Sequence, residues 1–181
     1  NKEAFSWTPQ ENPYPLTSME LRAGQVRTNG RFAFTINYAD LCRKVETVLA
    51  QITNAHIINN DKYELLGANT EIHMVFSVCG GTGCGTFVNM AYLLRDRAPQ
   101  CKLTGYAVLP DVFKHMSNSG MAKVAPNAFG AIVDLDYLMH MGIGSKPIKL
   151  EYLNGSYEIK DRPFNSVIFI DNKNDRGDTY T

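Results

Sequence analysis

The stretch "VCGGTGCGTF", Val78 to Phe87, concentrates glycine and small polar residues at one point of the chain. Four of the six residues from 80 to 85 are glycine, directly after an apolar run and before a helical pattern. A glycine-rich turn that opens a helix directs free backbone N–H groups at one point, and the helix dipole adds positive potential there. Because glycine has no side chain, an anion can approach the backbone closely, so the pattern predicts a phosphate-binding loop.

Two kinds of side chain accompany these glycines. Thr82 adds a hydroxyl group, and Thr86 is placed to cap the first turn of the following helix. Cys84 has no recognisable His or acidic partner in the sequence, so we do not expect a catalytic thiol. The four cysteines form no CxxC pair and the four histidines show no zinc spacing, which favours reduced thiols and predicts no metal site.

The loop does not match three common glycine motifs. A Walker loop needs a Lys followed by Ser or Thr, and "GGTGCGT" has no Lys. A dinucleotide fingerprint needs Gly or Ala where Thr86 stands, and neither Thr82 nor Cys84 has the flanking glycines of a nucleophile elbow. A tight structural turn without a ligand remains the alternative.

Composition limits the class of protein. The chain has 181 residues, 44% of them hydrophobic and 20% charged, which suits one globular domain. With 18 basic and 18 acidic residues the formal net charge is zero, so charge gives no reason to expect nucleic-acid binding. No apolar run is long enough to cross a bilayer, and the start lacks the apolar core of a signal peptide. We therefore expect a cytoplasmic protein that does not insert into membranes.

The remaining sequence supplies the elements that must position the loop. Residues 1–22 carry Pro9, Pro13 and Pro15 and are predicted to form an extended arm or loop. The predicted elements are a glycine-containing turn at 22–31, one amphipathic helix at 32–54, buried strands at 72–78, 102–110 and 166–171, a helix at 86–97, a helix at 127–142 and a hairpin insertion near 147–160 around Asn154-Gly155. The helix at 127–142 is indicated by the spacing of Phe129, Ile132, Val133, Leu135 and Leu138. This order predicts an α/β fold with a mostly parallel sheet flanked by helices, whose ligands bind at the carboxyl ends of the strands.

In this context the loop resembles the signature region of the tubulin/FtsZ superfamily. That signature is commonly written GGGTGSG or GGTGSG, and here "GGTGCG" precedes an amphipathic helix and a strand ending in "VLP". Cys84 takes the place of the usual Ser; it is small enough to fit but is a weaker hydrogen-bond donor. Three further segments resemble family segments in the right order: "AGQVRTNGR", "VAPNAFGAIVDL" and "VIFIDN". The subgroup that fits best is the divergent prokaryotic tubulin-like proteins, which implies a Rossmann-like GTPase-domain topology.

The resemblance implies a role for individual residues. Ala23, Gly24 and Gln25 would face the terminal phosphate, with Arg27 adding positive charge. The loop itself would bind phosphate through Gly80, Gly81, Thr82, Gly83, Cys84 and Gly85. Asp111 and Asn127 fall in the ribose region, and Asn172 would read guanine through its amide. The implied cofactor is GTP or GDP, with Mg²⁺ carried by the nucleotide.

The resemblance also implies a function and shows two departures. It implies a guanine-nucleotide-binding cytoskeletal protein that assembles head-to-tail into filaments, with GTP hydrolysis completed by an acidic loop of a neighbouring subunit. The family's first glycine loop is missing before Ala23, and its central helix and second domain are missing after Asn172. Residues 23–181 are therefore expected to form part of a nucleotide-binding domain with flanking sequence beyond them. A non-hydrolysing tubulin-like scaffold and an unrelated α/β enzyme with a nucleotide cofactor remain alternatives.

Overall fold

The computed structural model describes residues 3–8, 23–55, 70–113, 122–174 and 176–179. In chain order these residues form α1 (Arg27–Ile36), α2 (Tyr38–Ala55), β1 (Glu71–Ser77), α3 (Thr82–Arg97), β2 (Lys102–Val108), α4 (Val124–Met139), β3 (Ile148–Tyr152), β4 (Gly155–Ile159) and β5 (Ser166–Ile170). Short 3-10 helices span Glu3–Phe5 and Pro110–Phe113. None of these helices is both long enough and apolar enough to cross a membrane. Most of the predicted arm at 1–22 lies outside the described residues.

The main sheet has the predicted parallel topology. Its strand order is β1-β2-β5, and Val75, Tyr106 and Ile168 lie side by side across it. The predicted hairpin is also confirmed, because β3 and β4 pair in antiparallel fashion around Asn154-Gly155. Since β1, β2 and β5 run in the same direction, their carboxyl ends meet at one edge of the sheet.

One face of the sheet carries the first core. Phe76 of β1 stacks on Phe87 of α3 with ring centroids 4.7 Å apart, an arrangement that contributes about 1 kcal/mol beyond area burial. The prediction that the strands are buried on both faces is confirmed for the central strand β2, where Leu103 and Thr104 point to opposite faces and are both buried. It was wrong for the outer strands. In β1 the residues that alternate with Phe76 are uncovered, with Val75 68% exposed, because the described helices α3 and α4 pack on the side that carries Phe76. In β5 both faces are open, since Ile168 and Phe169 are 46% and 51% exposed.

A second core joins α1, α2 and the hairpin to the outer side of α3. Tyr38 stacks on Tyr152 of β3 at 4.1 Å between centroids. The single helix predicted at 32–54 is two helices, because the first ends at Asn37, whose Nδ2 donates to the carbonyl oxygen of Ala33 (2.8 Å). The predicted turn at 22–31 is also shorter, and α1 already begins at Arg27.

The buried face of α4 contains only part of the apolar residues whose spacing predicted the helix. Phe129 is 74% exposed, and Ile132 and Val133 also lie on the solvent side. Leu135 and Leu138 are buried, together with Val124, Asn127, Ala128 and Ala131. Small residues at Ala128 and Ala131 pack inside the first core, which favours this face over the bulkier one. The helix also begins three residues earlier than predicted, with Pro126 in its first turn, where no N–H is needed.

We predict that Gly85→Ala destabilises the protein although alanine is the better helix former by about 1 kcal/mol. A Cβ at Gly85 would lie 2.9 Å from the backbone nitrogen of Arg31 and closer still to the carbonyl oxygen of Arg27. We expect a loss of about 1–3 kcal/mol in the free energy of unfolding, measured by urea denaturation. Gly142→Ala is the matched control, because its Cβ would meet no atom within 4 Å. Equal stability of the two variants would contradict the close crossing of α1 and α3.

Candidate functional site

The predicted site residues gather at the carboxyl edge of the sheet. Segment 79–85 leaves β1, Asp111 follows β2, and Asn172 follows β5. The turn at 23–26 lies beside the glycine loop, and Asn127 in the first turn of α4 contacts both. The ends of β1 and β5 are two strand spacings apart, about 10 Å. Residues that lie far apart in the sequence therefore form one candidate site.

The turn at 23–26 has an unusual backbone. Gly24 and Gln25 both have positive φ angles, 59° and 57°. The turn is closed by the Val26 N–H, which donates to the carbonyl oxygen of Ala23 (3.0 Å), as in a type I′ turn. Gln25 is the only non-glycine residue with positive φ in the described part of the chain. Such a conformation is costly for a side-chain-bearing residue and is most often retained at functional sites.

The glycine loop becomes the start of α3 earlier than predicted. The helix begins at Thr82 rather than at Thr86, with Gly81 at the N-cap and no side-chain cap. The capping prediction for Thr86 was wrong, because its hydroxyl donates back to the carbonyl oxygen of Thr82 (2.9 Å). The first amides of a helix have no acceptor within it, so the N–H groups at the start of α3 are available to a ligand.

Three loop glycines are required because other backbone segments of the protein pack directly against them. A Cβ at Gly81 would lie 2.6 Å from the nitrogen of Val26, and one at Gly83 would lie 2.8 Å from the carbonyl oxygen of Ser77. Gly85 meets α1 in the same way. Gly80 is different, because a Cβ there would meet nothing within 4 Å. Gly80 and the exposed Thr82 therefore form the accessible part of the loop.

The Cys84 side chain does not face the mouth of the loop. It is 1% exposed, and its thiol donates to the carbonyl oxygen of Asn127 (3.3 Å). Burial raises the pKa of the Cys84 thiol to about 12, so the thiol stays protonated at neutral pH. A buried, protonated thiol is a poor nucleophile. Cys84 in place of the family's usual Ser therefore affects the packing of the core. At the mouth of the loop, Cys84 can contact a ligand only through its backbone.

Asn127 connects the separate parts of the site. Its Nδ2 donates to the carbonyl oxygens of Gln25 and Cys79, both at 2.9 Å, and the residue is 8% exposed. The first bond fixes the left-handed turn and the second fixes the end of β1. A ribose contact by Asn127 remains a prediction and would have to use its Oδ1, because Nδ2 is already engaged.

The charged side chains at this edge are mostly paired. Arg27, predicted to bind phosphate, forms an ion pair with Asp134 of α4, so a phosphate contact would have to replace that pair. Asp111 lies 3.6 Å from the Nζ of Lys173. Sequence reasoning missed Lys123, which donates to the carbonyl oxygen of Gly24 (3.5 Å). Its position immediately before the first residue of α4 was the signal that could have indicated it.

Asn172 has an unsatisfied acceptor. Its backbone N–H donates to the Asp171 carboxylate (2.8 Å), but its buried Oδ1 accepts no hydrogen bond from the residues described. A buried acceptor without a donor costs about 1–3 kcal/mol. A base edge that supplies N–H donors would satisfy it, and the reading of guanine by Asn172 remains a prediction.

The electrostatics of the edge suit an anion. The first turns of α1, α3 and α4 meet there, and each helix N-terminus carries a partial positive charge. No group of three His, Cys, Asp or Glu side chains in the described ranges could hold a metal ion. Binding of an anion by these backbone amides remains a prediction.

Fold and site together define a Rossmann-like α/β domain with a glycine loop at the carboxyl edge of a parallel sheet. The chain matches the model of a family described as "Tubulin like" over residues 2–181. It therefore belongs to the tubulin-like family, as the resemblance of the glycine loop predicted. No curated protein matches it.

We predict that Asn127→Asp destabilises the protein by about 3 kcal/mol at pH 7, because a carboxylate would face two carbonyl oxygens without a donor. Chemical denaturation measures the loss. Part of it should return at low pH, where a protonated carboxyl can donate one hydrogen bond. Asn154→Asp is the control, because Asp-Gly is accepted in the exposed hairpin turn. A loss no larger than that of the control would show that Asn127 does not hold the site together.

Proposed function

We propose that this protein binds guanine nucleotide at the carboxyl edge of the sheet and assembles head-to-tail into filaments. The observation that carries the binding proposal is the pair of backbone elements at this edge. The open N–H groups at the start of α3 lie beside the left-handed turn at Gly24 and Gln25. Backbone amides in such an arrangement bind phosphate without a Lys. Membership of the tubulin-like family supports GTP or GDP as the ligand.

Each part of the nucleotide has candidate residues. The phosphates would contact the amides of 80–84 and the turn at 23–25, with Mg²⁺ carried by the nucleotide. The base would contact Asn172, whose unpartnered Oδ1 accepts from the N–H groups of guanine while its Nδ2 donates to the ring carbonyl. Adenine presents the opposite pattern at that edge, so an amide in this orientation favours guanine.

Hydrolysis would need a group from outside this site. Among the carboxylates described at the edge, Asp111 contacts Lys173, Asp134 contacts Arg27, and Asp171 accepts from the Asn172 N–H. Each of these carboxylates is already oriented by a partner within the same chain. An acidic loop of a neighbouring subunit would complete the reaction, which makes hydrolysis depend on assembly. A non-hydrolysing scaffold is the second candidate, and the same engaged carboxylates favour it.

The exposed face of α4 is a suitable contact surface for assembly. Phe129, Ile132 and Val133 form an exposed apolar stripe on the helix whose first turn reaches the nucleotide edge. Exposed apolar patches on a soluble domain often mark protein–protein contacts. A contact through this stripe would bring a second subunit close to the bound nucleotide.

The binding proposal is tested by equilibrium titration with GTP and ATP. We expect Gly80→Val to weaken GTP binding by about tenfold or more, because its side chain fits the protein but hinders phosphate approach. Gly142→Val, also in open space, should leave binding unchanged. We expect Asn172→Ala to reduce the preference for GTP over ATP by roughly tenfold, since paired base contacts contribute about 1–3 kcal/mol. Undiminished GTP binding in Gly80→Val would rule out this loop as the phosphate site.

The assembly proposal is tested by light scattering and phosphate release with added GTP. We expect Val133→Glu to abolish GTP-dependent scattering while GTP binding persists, because the new charge would be buried at the contact. Val48→Glu on α2 is the matched control, since Val48 and Val133 are 52% and 50% exposed in helices. Assembly without phosphate release would favour the scaffold. Normal assembly of Val133→Glu would exclude the α4 stripe as the contact.

A further inference from the structure

A cavity of about 490 Å³ lies between α1, α3, α4 and the hairpin, and the proposed function does not use it. We call it the hairpin cavity. Its apolar wall consists of Val88, Leu138, Ile148, Leu150 and Ile159, and Arg27, Thr28, Arg31 and Asp134 provide its polar side. This volume lies within the usual range for small-molecule sites, about 300–1,000 Å³. The combination of an apolar wall and a charged side is typical of a site for an amphipathic ligand.

Several polar groups in the hairpin cavity lack partners. The Nε of Arg27 and the hydroxyl of Thr28 are buried and make no hydrogen bond with the residues described. The guanidinium of Arg31 stacks on Trp7 at 4.4 Å, but no described carboxylate lies within ion-pair distance of it. Burial lowers the pKa of Arg31, although an arginine remains charged at neutral pH. The Arg31 guanidinium, the Arg27 Nε and the Thr28 hydroxyl lie on one helix, and a ligand with several oxygen atoms could supply their missing hydrogen bonds.

The net charge of the cavity indicates what that partner is. Asp134 already pairs with Arg27, and Lys149 at the rim pairs with Glu151. Asp134 also attracts the charge of Arg31, but one carboxylate cannot neutralise two guanidinium groups, so one positive charge is left over. This favours a single negative charge over a phosphate dianion.

We propose that the hairpin cavity binds a small amphipathic carboxylate, with its head group on Arg31 and its acyl or aryl tail against the apolar wall. The site is separate from the nucleotide edge, although Cys84 and Gly85 of the first turn of α3 also line the cavity. The planar guanidinium of Arg31 matches a carboxylate in a two-point contact. Thr28 and the Nε of Arg27 supply further hydrogen bonds from the same helix.

Isothermal titration of the purified protein with octanoate tests this inference. We expect octanoate to bind and neutral octanamide to bind at least about tenfold more weakly, because a hydrogen bond to a charged group contributes that much or more. Arg31→Gln should weaken octanoate binding by a similar factor, whereas Arg43→Gln on the exposed side of α2 should not. Equal affinity for octanoate and octanamide, or in Arg31→Gln and the unchanged protein, would overturn the proposal.

A second variant distinguishes lost binding from lost folding. Asp134→Asn removes the carboxylate that competes for Arg27, so it should tighten octanoate binding severalfold, which an unfolded protein cannot do. Unchanged or weaker binding in this variant would overturn the assignment of the head group. Saturating GTP should leave the octanoate affinity in place. Displacement by GTP would show that the cavity belongs to the nucleotide, and would likewise overturn a separate carboxylate site.

Discussion

The structure depends on the close crossing of α1 over the first turn of α3. Gly30 and Gly85 meet at this crossing, and a Cβ on Gly85 would overlap the backbone of α1. Because the helices approach to backbone contact, the turn at 23–26, which leads into α1, is held against Gly81. The same approach puts one side of α1 over the glycine loop and another side over the hairpin cavity. A single steric constraint thus determines where both candidate sites lie.

Asn127 adds polar specificity to that steric constraint. Backbone contact alone would not fix the left-handed conformation of Gln25, which is unfavourable for a residue with a side chain. The hydrogen bond from the Asn127 amide holds the Gln25 carbonyl, and its second bond ties the turn to the end of β1. Both bonds are buried, where a lost partner costs more than it would in water. The edge of the sheet is therefore organised before any ligand arrives, which lowers the entropic cost of binding.

Local patterns predicted the elements that depend on near neighbours. The alternation of strands and helices and the Asn154-Gly155 hairpin were correct, because turn chemistry and apolar runs act over a few residues. The spacing of apolar residues predicted the helix α4 but not which of its faces is buried, because tertiary packing selected the smaller Ala128 and Ala131 over Phe129 and Val133. The prediction that β1 is buried on both faces was wrong, because strand burial depends on which layers cover the sheet. The Arg27–Asp134 pair joins residues 107 positions apart, and the lining of the hairpin cavity extends from Trp7 to Ile159, so no local pattern reveals either.

The glycines of the loop were predicted for one physical reason, and the structure shows a second one. So many glycines were expected to let some group approach the backbone closely, and phosphate was the expected ligand. At Gly81, Gly83 and Gly85 the approaching group is the chain itself. A glycine that is required by packing says nothing further about a ligand, so these three positions do not by themselves support phosphate binding. Gly80 is not required by packing, because a Cβ there would meet no atom within 4 Å. The case for a ligand therefore depends on the one glycine in the loop that the fold does not need.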